Sequence, residues 1–149
     1  MGQRIPDRSI GRLSKYLFRA ELMRDIVHSM VEQRGPGLKG LSKDNWWEFE
    51  TFLFYWLSAL FVLVEGFNKL KLKDTRVKKL FKEHIRHLKM VRHSTYHFVL
   101  EEGPSHIEMI RQLNWAEQLH NAIADHVKEV IRRKAHVEAI LEKRTKTRK

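Results

Sequence analysis

The chain has no cysteine among its 149 residues. That removes disulfides, thiolate nucleophiles, cysteine zinc sites and iron–sulfur clusters. Helix breakers are also scarce, with three prolines and seven glycines, so long stretches can stay helical without interruption. No period-two alternation marks a strand, and no internal repeat stands out. Acidic residues form no pair suited to glycoside or metal-assisted phosphate hydrolysis. The glycine-rich "RGPGLKG" lacks the lysine-serine or lysine-threonine ending and the preceding strand of a phosphate-cradling loop. Serine nucleophile motifs are missing too.

Apolar length is limited in the same way. The longest uncharged run, Thr51 to Val64, has 14 residues, against the ~20 needed to span a bilayer. Glu48, Glu50 and Glu65 flank it closely. A buried core helix is the expectation, with no membrane partner. The opening residues "MGQRIPDRSIGRLSKY" lack the apolar core of a secretory signal, and a cytoplasmic location is expected.

What is abundant is positive charge. The formal net charge is +11, partly from a terminal "KRTKTRK" and partly from helical stretches such as "KLKLKDTRVKK" and "KEVIRRK". Such a surface attracts RNA, DNA or anionic lipid without sequence preference; its plain alternative is a solvated surface with a loose tail. Apolar residues make up 42%, ordinary for a chain with one hydrophobic core. Residues 1–143 are expected to form a single domain and 144–149 a basic, disordered tail.

Periodicity and punctuation predict four helices. The first runs from about Ser9 to Gln33, with Leu13, Leu17, Ala20, Met23, Val27 and Met30 at three- and four-residue steps. The second begins near Asn45, with Glu48 placed to close a cap, and is apolar nearly all round, as a central helix should be. Its aromatics are expected in the core or an interface in preference to a base-stacking platform. Asp74 should cap the third, whose inward stripe is Val77, Leu80, Phe81, His84, Ile85, Leu88 and Val91. Distortion or an end is expected between Arg92 and Val99. The fourth starts at a Ser105/Glu108 capping box and carries Ile110, Leu113, Ala116, Leu119, Ile123, Val127, Val130, Val137 and Leu141. Unbroken, it would be ~57 Å long, so its far end needs either the N-terminal helix or a second subunit. The expected fold is all-α, a four-helix, mainly up-and-down bundle with a long C-terminal helix, and dimeric.

One stretch departs from plain helix-building: "KMVRHSTYHF", Lys89 to Phe98. Arg92 offers a planar charged fork for phosphate oxygens. His97, five residues on, can give or take a proton near neutral pH. Cleavage of RNA by its own 2′-hydroxyl needs a base, an acid and a cation on the phosphate, with no metal or other cofactor. On a regular helix Arg92 and His97 stand roughly 140° apart. Either the helix deforms between them or copies from two subunits combine across a symmetric interface.

Arg92-His93-x3-His97 resembles the HEPN motif: an arginine, a polar residue, then a histidine after four to six residues in all. HEPN domains are all-α bundles of about this length, with the motif on a late helix. The resemblance implies a metal-independent endoribonuclease, often of toxin–antitoxin, CRISPR or antiphage systems, that dimerises so that two motifs face each other. It would make Arg92 the contact to the scissile phosphate, His97 the acid or base, and His93 the polar residue orienting them or touching RNA. RNA, a second copy and an antitoxin or defence-system protein are the implied partners. Arg86 and Lys89 are expected to hold the RNA backbone. The tyrosine often found two residues after the motif histidine is replaced here by Val99, which argues against regulation at that point. The rival expectation is a noncatalytic helical module that binds nucleic acid or protein. His84 with His87, and His93 with His97, have helical ligand spacing, with Glu83 a third donor, but a hydrogen-bonded core histidine is the commoner outcome and no metal is expected.

Overall fold

A computed structural model describes residues 7–34, 42–96 and 106–146. It contains four helices and, among the described residues, no strand: α1 (Asp7–Arg34), α2 (Lys43–Lys69), α3 (Thr75–Tyr96) and α4 (His106–Lys146). The all-α four-helix expectation is met.

Capping chemistry sets two of the boundaries. Ser42 caps α2, its hydroxyl accepting the Asn45 N–H at 3.4 Å. Asn45, the expected start, is therefore already inside the first turn. Asp74 caps α3 as expected, its carboxylate accepting the N–H groups of Arg76 at 2.8 Å and Val77 at 3.3 Å. Between them the chain reverses in five residues. Lys71 takes a positive φ of 54°, and its N–H and that of Leu72 bond back to Asn68 and Phe67. This is the Schellman ending of a helix, with lysine where glycine is usual. The expected Ser105 cap lies outside the described residues. α4 reaches Lys146, into the basic segment 144–149, and at ~1.5 Å per residue its 41 residues extend roughly 60 Å.

α2 touches all three other helices, and α4 does too, whereas α1 and α3 do not meet. α2 is central because it can be buried on most sides: Phe49, Leu53, Trp56, Leu57, Leu60 and Leu63 have no exposed surface. By length and apolarity α2 could cross a membrane, but half of its most apolar stretch is buried inside the bundle. α1 supplies Leu13, Leu17, Ala20 and Val27, and α4 supplies Ala116, Leu119, Ile123 and Val127. α1 and α2 approach closely at Gly66, where a Cβ would stand 2.9 Å from Leu13 Cδ1. From α3, Val77, Leu88 and Val91 are buried, while Leu80, Phe81 and Ile85 pack at the core's edge.

Two expectations need amendment. Trp46, Phe49 and Trp56 are core, but Trp47 and Tyr55 stand 57% and 44% exposed on the outer side of α2. In the apolar series of α4, Ala116, Leu119, Ile123 and Val127 are buried, Ile110, Leu113 and Val130 are half-buried, and Val137 and Leu141 face solvent, outside the groove that α1 forms with Ile131, Lys134, Ala135 and Glu138. α3 is helical from Arg92 through Tyr96; the rest of the stretch to Val99, over which a distortion or an end was expected, lies outside the described residues.

Candidate nucleic-acid interface

α3 presents one face to the core and the opposite face to solvent. Lys78, Lys82, Arg86, Lys89 and His93 follow one another at steps of four, four, three and four residues, and all are exposed. This periodicity places them in a single row down the outer face, ~22 Å from first to last at ~1.5 Å per residue. Neighbours along the row stand ~5–6 Å apart. Lys78 and Lys82 extend the site beyond the Arg86 and Lys89 expected from sequence; the signal was their helical register with those two.

The row ends at an open groove between α2 and α3. Phe61, Val62, Lys89, Arg92, His93 and Tyr96 line it, with a volume of about 590 Å³. Arg92 is aimed by two contacts across the helix pair. Its guanidinium carbon sits 5.0 Å from the centre of the Phe61 ring, and its Nη1 is 3.8 Å from Glu65 Oε1. Both charged side chains remain over two-fifths exposed, so the pair is a screened surface contact worth at most about 1 kcal/mol. Arg92 is held in place yet open to a ligand. Tyr96, 62% exposed, meets Tyr55 edge-on at 6.5 Å beside the same groove.

The Ser94 and Thr95 hydroxyls in this stretch serve the helix itself. Ser94 Oγ donates to the Met90 carbonyl at 3.0 Å and Thr95 Oγ1 to that of Val91 at 2.7 Å. Ser58 of α2 donates to Thr95 at 3.1 Å, pinning the end of α3 against α2. So the structure brings Lys89, Arg92 and His93 together, leaves Arg86 further back on the row, and places Thr95 in the packing. His97 lies outside the described residues. Glu65 and Phe61, which position Arg92, sit in the apolar helix, and nothing in the primary sequence links them to it.

His84 and His87 are engaged elsewhere. His84 stacks on Trp115 at 4.2 Å with the rings 8° from parallel, and His87 meets the same indole edge-on at 5.9 Å. Burial pushes both imidazoles toward the neutral form, with His84 adding to the effect at His87. Their ring contacts are those of packed aromatics. Among the described residues no three histidine, aspartate or glutamate side chains gather as a metal site would require.

His120 is the most deeply placed polar group, with no exposed surface. Trp56 Nε1–H donates to its Nδ1 at 3.2 Å, so the ring proton must be on Nε2, which has no hydrogen-bond partner among the described residues. Burial, with help from Arg24, holds its pKa down at about 4. Sequence reading passed over His120 because it lies in no cluster; its place on the α4 apolar stripe, one residue after Leu119, was the available signal.

Comparison with protein-family models, with curated proteins and with solved structures returns no significant match.

Proposed function

We propose that this bundle binds RNA along the outer face of α3 and cleaves it at the Arg92 groove. The observation that carries the reading is the placement of Arg92: an oriented, solvent-accessible guanidinium at the end of a row of cations, with His93 beside it. The row would bind the backbone through successive phosphates. Arg92 would grip two oxygens of the scissile phosphate and stabilise charge gathering there. The 2′-hydroxyl attacks phosphorus while a base takes its proton; the P–O5′ bond breaks and an acid protonates the leaving oxygen. His97 supplies one of these roles. The other falls to His93 or to His97 of a second copy. The products are a 2′,3′-cyclic phosphate and a 5′-hydroxyl.

A second reading has its own support: Arg92 already engages Glu65 and Phe61 within the chain, as it would in a binding module without chemistry. Cleavage of a labelled RNA panel in EDTA, comparing wild type with Arg92→Ala and His97→Ala, separates the two. The nuclease reading expects cyclic-phosphate products from wild type, lost in both folded variants. RNA binding without cleavage would favour the nucleic-acid-binding module, and absence of RNA binding would end the nuclease reading and leave the module a protein partner only.

A further inference from the structure

The outward face of α1 is built to meet itself. Gly11, Lys15, Phe18, Leu22, Asp25 and Ser29 recur at steps of four, three, four, three and four residues, a heptad seam, and every one of them is exposed. The inward face is already used by Ile10, Leu13, Leu17, Ala20 and Val27. At the middle of the seam stand two large apolar side chains with no cover: Phe18 is 59% and Leu22 45% exposed.

The order of these residues is symmetric about position 20. Phe18 and Leu22 are two residues either side of it, Lys15 and Asp25 five, and Gly11 and Ser29 nine. We propose that two copies of the chain pair through α1, antiparallel, about a two-fold axis at that position. Each element then meets its complement twice, as a closed two-fold interface requires. Phe18 packs on Leu22 of the second copy, Lys15 faces Asp25, and the small residues Gly11 and Ser29 let the helix ends approach. A Cβ built on Gly11 meets nothing within 4 Å, so the surface there is bare. Asp25 is 65% exposed, and among the described residues its one ion pair is with its neighbour Arg24, which leaves carboxylate surface for a lysine.

The occupant is a second copy because the antiparallel pairing sets Lys15 against Asp25 at two symmetric places, a charge complementarity that this chain supplies from its own sequence. An unrelated apolar helix would cover Phe18 and Leu22 but would need its own acid and base at the matching offsets. Arg19 and Glu21 flank the seam on opposite sides, so each approaches its own symmetry mate. Arg19 is drawn away, its guanidinium 5.5 Å from the Tyr16 ring centre. These rim repulsions and the single helix pair imply a weak dimer, forming between micromolar and submillimolar concentration. None of the seam residues lines the Arg92 groove, so the proposal stands or falls independently of RNA cleavage.

Sedimentation equilibrium of the full chain tests it by charge exchange. Lys15→Asp sets aspartate against Asp25 at two symmetric places, and Asp25→Lys sets lysine against Lys15. Each should raise the dimer dissociation constant at least ~10-fold, more than loss of a single exposed pair would. The double variant restores the pair in swapped order and the original net charge, so it should return to within about threefold of wild type. Phe18→Ser with Leu22→Ser, on the solvent face, should abolish pairing with the circular dichroism unchanged. A wild type that stays monomeric throughout, single reversals without effect, or a double variant that is not rescued would each overturn the proposal.

Discussion

Replacing His120 by glutamine should flatten the acid side of this protein's stability profile. In the fold His120 is neutral: it is fully buried, accepts the Trp56 indole N–H on Nδ1, and has its pKa lowered from 6.5 to about 4, first by burial and then by Arg24. A proton on Nδ1 would displace the indole donor, so protonation and this hydrogen bond exclude one another. In the unfolded chain the same ring titrates near 6.5. Between those two values the unfolded state binds a proton that the folded state refuses. Stability from this group is therefore complete above about pH 6.5 and is lost as pH falls toward 4. Linkage over that window gives a loss of about 2 kcal/mol by pH 5 and about 3 kcal/mol by pH 4. Glutamine can still accept from Trp56 and does not titrate. Urea unfolding at pH 7 and pH 5, followed by circular dichroism, should therefore show wild type losing about 2 kcal/mol more than His120→Gln. The other histidines are common to both proteins and cancel. Equal losses in the two, or a His120 nitrogen resonance titrating near 6.5, would refute the reasoning.

Glu65→Gln should release Arg92 from its carboxylate neighbour and tighten RNA binding roughly 2–5-fold, read by fluorescence anisotropy at low salt; weaker binding would mean that Glu65 positions Arg92 productively. Lys71→Gly should stabilise the protein by about 1 kcal/mol in urea unfolding, because the left-handed φ at the α2–α3 turn carries a Cβ penalty that glycine lacks. Asp74→Ala should cost about 1 kcal/mol by removing the α3 cap. Burial alone would raise the Asp74 pKa, but hydrogen bonds from the Arg76 side chain and the Val77 and Arg76 N–H groups outweigh it and hold it below the usual value. The Asp74 contribution is accordingly present above the ordinary carboxylate range and fades as pH falls through the depressed value, a difference visible when wild type and variant melts are compared at pH 7 and pH 3.

The sequence by itself determined the helices. Scarce proline and glycine, an unbroken 3.6-residue apolar rhythm, and Asp74 before a basic amphipathic run are local facts, and helices are held by local bonds. The centrality of α2 was legible for the same reason, since a helix apolar on every side has to be surrounded. It also singled out Arg92 and His93 as candidates for handling a phosphate. What it could not determine were relations between residues far apart in the chain. That Glu65 and Phe61 hold Arg92, that Trp56 fixes the tautomer of His120 from 64 positions away, and that Trp47 and Tyr55 face outward while Trp46 and Trp56 face inward all depend on how the helices are rotated against each other. So does the solvent exposure of Val137 and Leu141, which share the rhythm of the buried part of α4 but lie outside the groove where α1 meets this part of the helix. Periodicity says which residues share a face; only packing decides what that face meets, because burial is a property of neighbours and not of the helix alone.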